Sequence, residues 1–159
     1  TYPLVGPRME SIVNITRVTP DTESGVQAVL AASRLMAINT ADSSTLTLAA
    51  TTPEADVVGC AAVERYGDNG LMRYVAVLPD SRGQHLGHYL VAAAEAEAAE
   101  DGIVSLYLLT ETAEAFFAAL GYETVDRADV PKEVLASDQF AKLCPSSAAS
   151  MRRDLIETT

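Results

Sequence analysis

Cysteine and lysine are scarce in this chain, and each scarcity removes a class of function. Two cysteines, Cys60 in an apolar stretch and Cys144 beside Pro145, are too few for a disulfide scaffold and have no spacing that would hold zinc. Cys60 reads as a buried thiol and Cys144 as a loop thiol, and no other cluster points to a metal. The only lysines are Lys132 and Lys142, and 11 basic residues face 22 acidic ones, a formal net charge of -11. Such a surface repels phosphate backbones and argues against a nucleic-acid partner. No apolar run reaches the ~18 residues of a membrane helix, and the first residues lack the charged and apolar regions of a signal peptide. A soluble, cytoplasmic protein with no membrane partner is expected. Excess carboxylate with little lysine is also the balance of proteins that work in concentrated salt, where self-repulsion is screened, so a halophilic origin is expected as well.

At 159 residues and 48% hydrophobic content, the chain suits one well-packed domain. Residues 1–10 read as a loose leader and 11–157 as a single domain. Residues 11–18 alternate as a first strand. Pro20, Asp21 and Thr22 open a helix that runs to about Leu35, with Val26, Val29 and Leu30 on its apolar face. Strands are expected over 45–50, 57–65 and 71–78, the last two joined by a turn at Gly67-Asp68-Asn69-Gly70. Beyond them come an alanine-rich helix, a buried strand from about residue 104, a short helix stopped at Gly121, and another strand. A helical stretch near 131–142 and a final strand around 148–155 close the chain.

The segment RYVAVLPDSRGQHLGHYLVAAAEAEAA, residues 73–99, runs a strand through a tight loop straight into a helix. Unpaired amides at a helix N-terminus, backed by the positive end of the dipole, form an anion site. Arg82, Gly83, Gln84, His85, Leu86, Gly87 and His88 would make that cradle. The loop is neither a Walker A sequence nor G-x-G-x-x-G. It resembles the acyl-CoA loop of the GNAT acetyltransferases, Q/R-x-x-G-x-G/A, read here as R-G-Q-H-L-G. His85 replaces the family's first glycine, so its side chain must turn outward and its backbone take an uncommon angle. Downstream, T-E-T-A-E-A-F-F-A-A-L-G-Y is similar to the family's N-x-x-A-x-x-F-Y-x-x-x-G-F. Thr110 stands where an Asn often contacts the cofactor, and Phe117 where a Tyr often protonates the leaving thiolate.

The resemblance implies an α/β (α+β) GNAT fold, a mixed, mostly antiparallel sheet splayed at the acyl-CoA site and flanked by helices. It further implies acetyl-CoA as donor, held by the backbone of Val75, Ala76 and Val77 and by the loop from Arg82 to His88, and a homodimer made through the C-terminal strands. The C-terminal run from Arg127 to Leu155, together with the segment around Phe117, resembles the arsenic-resistance-associated (ArsN-type) branch. That branch lies close to the amino-acid acetyltransferases and also tends to lack the tyrosine acid.

On the acceptor side, the turn places Glu64 roughly across from Arg73 on paired strands. One reading is a cross-strand salt bridge at a sheet edge. The other is that Arg73 binds a substrate carboxylate with its planar fork while Glu64 orients the amine or a water. The segment L-M-R-Y-V-A-V resembles L-R-S-L-A-V of amino-acid acetyltransferases. Arg34 is a further substrate candidate, with a solvated helix face as its alternative. Neither cysteine has a basic partner nearby and no Ser-His-Asp order is present, which favours direct transfer to a small amine over a covalent enzyme intermediate. A non-catalytic acyl-CoA-binding or regulatory module is the alternative, prompted by His85 and Phe117.

Overall fold

The computed structural model describes residues 2–4, 13–35, 38, 39, 42, 44–81, 85–137 and 148–155. Of the expected site residues, Arg82, Gly83 and Gln84 lie outside this set, as does Cys144. In chain order the elements are β1 (Tyr2–Leu4), β2 (Val13–Arg17), α1 (Pro20–Ala32), β3 (Thr45–Thr51), β4 (Val57–Tyr66), β5 (Asn69–Val77), α2 (Leu86–Glu100), β6 (Ser105–Thr110), α3 (Glu114–Ala119), β7 (Glu123–Val125), α4 (Lys132–Leu135) and β8 (Ala149–Asp154). Within the segment expected as a leader, Tyr2–Leu4 pairs antiparallel with β2 as an edge strand.

All eight strands join one sheet in the order β1-β2-β3-β4-β5-β6-β8-β7. The pairing of β5 with β6 is parallel and every other pairing is antiparallel. A parallel pair needs a crossover, and α2 supplies it. That pairing covers only Asn69–Leu71 against Ser105–Tyr107. Beyond it β5 runs on to Val77 and β6 to Thr110 without meeting, and a gap opens between them.

The two sheet faces carry separate cores. Leu86, Leu90, Val91, Ala93, Ala94 and Ala98 of α2 recur every three or four residues and pack with Leu48, Val63, Met72, Leu106 and Phe117. On the opposite face Val26, Val29 and Leu30 of α1 pack on Ala49, Cys60, Ala62 and Ala76. Beside them Leu71, Tyr107 and Leu109 are covered by Val130 and Val134. Burial pushes the Cys60 thiol up to about 12, so it stays protonated and donates to the Tyr74 carbonyl at 3.3 Å. Among the described residues no helix is long and apolar enough to cross a membrane.

Helix α1 opens with Pro20 in its first turn, and the Thr19 amide donates to Thr22 Oγ1 at 2.9 Å. Its C-terminus is a full Schellman motif. The Leu35 amide donates to Leu30 O at 2.8 Å and the Arg34 amide to Ala31 O at 3.1 Å, with Arg34 in the left-handed region at φ 60°. The helix thus stops at Ala32, three residues before the end read from the sequence.

The β4–β5 hairpin turns on Gly67 and Asp68, because Tyr66 pairs with Asn69 and Gly67 takes φ 67°. The expected turn was centred one residue later. The true register sets Leu71 opposite Glu64 and Ala62 opposite Arg73. Further along, the ladder steps from Ala62↔Arg73 to Cys60↔Ala76, a bulge in which Tyr74, at φ 60°, and Val75 together face Ala61.

Gly59 marks the closest approach of α2 to this hairpin. A Cβ there would lie 2.9 Å from Leu90 Cδ1 and 3.1 Å from the Ala76 carbonyl oxygen. Gly59→Ala should therefore lose about 1–3 kcal/mol of stability in urea unfolding through overpacking.

Candidate functional site

A cavity of about 570 Å³ opens where β5 and β6 part, a size suited to a small organic ligand. Its wall takes Val75, Ala76 and Val77 from β5, His85 to His88 from the start of α2, and Ala113, Phe116 and Phe117 from the α3 region. Ser33 and Leu35, at the end of α1, complete it.

The bulge decides how β5 meets this space. With Tyr74 left-handed, Val75 and Val77 pack toward the α2 core while Tyr74 and Ala76 pack toward the α1 core. The strand edge beside β6 has no ladder pairing with β6 from Met72 onward, and Val75, Ala76 and Val77 of that stretch line the cavity.

His85 caps α2 at φ 59° and ψ 21°, the uncommon angle expected for a side chain at a position where glycine is usual. The first intrahelical bond of this end runs from the Tyr89 amide to His85 O at 3.2 Å, so the amides of Leu86, Gly87 and His88 have no partner within the helix. These donors and the positive dipole end border the cavity. A Cβ on Gly87 would meet Phe116 Cζ at 3.4 Å, an ordinary van der Waals contact, so the aromatic wall lies directly beside the helix end.

Aromatic rings line up behind it, each edge-to-face with the next. His85 meets His88 at 5.3 Å between centroids, His88 meets Phe116 at 5.0 Å, Phe116 meets Phe117 at 5.0 Å, and Phe117 meets Tyr122 at 5.6 Å. The series runs from the helix end into the core, where Phe117 is 8% exposed.

Four sequence-predicted residues are not on the cavity wall. Thr110 Oγ1 accepts from the Ala113 amide at 2.9 Å and so shapes the turn into α3. Arg34 is exposed and stands between two lining residues. Glu64 and Arg73 are joined to each other, Arg73 Nη1 donating to Glu64 Oε2 at 3.0 Å. Their strands lie mid-sheet, not at its edge, and the contact is diagonal because neither residue faces the other in register.

The pair is well supported. Tyr66 donates its hydroxyl to Glu64 Oε1 at 3.0 Å, and the Arg73 guanidinium carbon lies 4.5 Å from the Tyr74 ring centroid. Burial, with the Glu64 charge adding to it, pushes the Tyr66 hydroxyl up to about 12, so it remains a donor. The bulge explains the stacking, since it sets consecutive residues on the same side of the strand.

Sequence reasoning missed Ser33, Leu35, Ala113 and Phe116 as wall residues, Ala113 being named only as a motif position. Phe116 lies inside the recognised aromatic pair, and that was its available signal. Ser33 and Leu35 carried none, because only the packing of α1 on the sheet brings them there.

Residues 43–124 match the family model described as an acetyltransferase (GNAT) domain. Over 79 residues the chain is 32% identical to an uncharacterized N-acetyltransferase of Chlorobaculum tepidum, covering 49% of this chain and 50% of that protein. It is 33% identical over 79 residues to an amino-acid acetyltransferase of Mannheimia succiniciproducens, covering 48% of this chain and 18% of that one. The match thus spans about half the length of the first relative and less than a fifth of the second. Among solved structures, N-acetylglutamate synthase from Neisseria gonorrhoeae complexed with coenzyme A and N-acetyl-glutamate superposes with a TM-score of 0.75 at 18% identity, over 91% of this chain and 35% of that one. At that identity the likeness is one of fold.

Because His85 holds a left-handed angle that glycine adopts freely, His85→Gly should hold or raise stability, by up to ~1 kcal/mol in urea unfolding, despite the lost ring contact.

Proposed function

The chain belongs to the GNAT acetyltransferase family, and from that premise we propose that it transfers an acetyl group from acetyl-CoA to the amine of an amino-acid-like acceptor. The observation that carries this reading is the convergence of three things on one cavity: β5 from Val75 to Val77, the amides at the start of α2 that have no partner within the helix, and the aromatic pair of α3. Backbone amides hold a diphosphate without a lysine, which suits a chain that has only two. The apolar wall then excludes water from the arm that crosses it.

Acetyl-CoA supplies the activated acyl group when bound. The residues of the chain bind and orient. Amides at Leu86, Gly87 and His88 grip the diphosphate, and backbone donors of β5 beside the bulge polarise the acyl carbonyl. Phe117 offers no proton, so the sulfur of a bound donor would leave as the thiolate or take a proton from water or another group. Across the sheet, Arg73 would recognise an acceptor carboxylate through the nitrogens of its fork that Glu64 leaves open, and the Glu64 carboxylate would draw in the ammonium group and, through a water, take the proton it loses before the free amine attacks. With side chains only 9% and 19% exposed, this pair is screened little by bulk water. Arg34, exposed at the end of α1, adds positive charge near the entrance.

An amino acid of the ArsN type, carrying arsenic in its side chain, would enter by the same carboxylate and amine. The surplus of carboxylates fits a protein that works in concentrated salt.

Release of free thiol from acetyl-CoA over a panel of amino acids and simple amines tests the function. Turnover confined to acceptors with a carboxylate is expected. Tight CoA binding with no turnover on any amine would instead mark a binding module.

Gly87→Pro removes one cradle donor at a position where a first-turn proline is tolerated, and CoA affinity by calorimetry should fall at least ~tenfold. Arg73→Lys replaces the fork by a point charge. It should keep CoA affinity yet lose most amino-acid turnover, while stability loss with unchanged kinetics would assign Arg73 to the fold.

A further inference from the structure

Resting on the reading of Arg73 and Glu64 as the acceptor site, we propose that Tyr66 is the positioning residue of that site: its hydroxyl orients the Glu64 carboxylate so that Arg73 keeps part of its fork for the acceptor. Among the described residues one hydrogen bond joins the pair, from Arg73 Nη1 to Glu64 Oε2 at 3.0 Å. An arginine beside a carboxylate commonly grips both oxygens with two parallel N–H bonds, and a fork engaged in that way has fewer donors for a second carboxylate. Here the other oxygen, Oε1, accepts instead from the Tyr66 hydroxyl at 3.0 Å.

Tyr66 can orient Glu64 because its own place is fixed. The two residues stand two apart on β4 and so share a face of the sheet. The Tyr66 ring packs on the cluster that holds Leu71, Tyr107 and Val134 of α4. Ser137, buried just beyond α4, hydrogen-bonds the same hydroxyl, and the Ser137 amide donates to Val134 O at 3.0 Å. The hydroxyl is thus held between the end of α4 and the carboxylate. Arg73 is held on its own account, with its guanidinium carbon 4.5 Å from the Tyr74 ring centroid.

A carboxylate oxygen can accept two hydrogen bonds, so Tyr66 orients Oε1 without excluding other donors from it. The Glu64 side chain turns about several single bonds, and an anchored donor on one oxygen restricts that turning. Without the hydroxyl the carboxylate plane is free to swing until both oxygens meet the fork, and the pair closes on itself. Tyr66 is not on the cavity wall, so its loss acts on acceptor recognition and leaves the acyl donor alone.

The experiment compares Tyr66→Phe, which keeps the ring in the core, with the parent in steady-state acetylation of the amino acid that the parent turns over best, alongside CoA calorimetry and a double-mutant cycle on stability. The expected result is an acceptor KM raised ~tenfold, with kcat and CoA affinity within about twofold of the parent. In urea unfolding, the coupling between Glu64→Gln and Arg73→Met should be larger in the Tyr66→Phe background than in the parent, because the pair there grips itself with more bonds. An unchanged acceptor KM overturns the inference. So does a coupling that is unchanged or smaller, which would make a raised KM the result of general loosening, and so does a kcat that falls while KM holds, which would put the hydroxyl in the chemistry. If the parent acetylates no acceptor that carries a carboxylate, the proposed function itself has failed and the inference falls with it; if only Tyr66→Phe is silent, that function stands.

Discussion

The parallel pairing of β5 with β6 ends after Leu71 and Tyr107, and the rest of the site depends on that early parting. A continued ladder would consume the β5 backbone and close the space that the cavity occupies. The bulge at Tyr74 reinforces the effect, because it advances the strand by a residue and redirects Val75 toward the α2 side. Helix α2 is the crossover that the parallel pair requires, and it begins beside the gap, so the amides of its first turn that lack an intrahelical partner fall where the strands separate. One topological requirement thus generates both the opening and the helix end that borders it.

Backbone strain gathers around this opening. Among the described residues, the non-glycine positions with left-handed φ are Arg34, Ala55, Tyr74 and His85. His85 lines the cavity, Arg34 lies between Ser33 and Leu35, and Tyr74 precedes Val75, so three of the four border it. Such angles persist only where surrounding bonds over-determine them. At Arg34 these are the two Schellman bonds, at Tyr74 the flanking β4 pairing with the Cys60 thiol on its carbonyl, and at His85 the helix it caps. Rigid elements on either side carry the cost, and the cavity wall is held in place by main-chain geometry more than by side-chain contacts.

The fold was legible in the chain because its signals are local. Pro20 with Thr22, the alanine-rich run of α2, the apolar run of β4 and the stop at Gly121 each report on a few neighbouring residues, and those elements stand where they were read apart from the end of α1, which comes at Ala32. Register was less legible. Gly67, Asp68, Asn69 and Gly70 are all good turn residues, and choosing the central pair required knowing that Gly67 adopts the positive angle. That choice shifts the pairing by two residues, which preserves the face and so still lets Arg73 reach Glu64, but along a diagonal. Thr110 shows the opposite outcome. Its motif position pointed to the cofactor, and its hydroxyl caps a turn, an intrinsic habit of threonine that no alignment of types reveals.

By itself the sequence determined the order of strands and helices from β2 onward, the passage from β5 through a short connection into α2, the strained angle at His85 and the absence of a hydroxyl at Phe117, because each follows from residue type and near-neighbour spacing. The tertiary structure decided where β5 and β6 part, which brought Ser33 and Leu35 to the cavity, stacked Arg73 on Tyr74, and set Phe116 against Gly87. These contacts join residues from one end of the chain to the other side of the sheet. Their positions follow from how long each ladder continues and how closely each helix packs, and both are fixed only when all the elements compete for the same core.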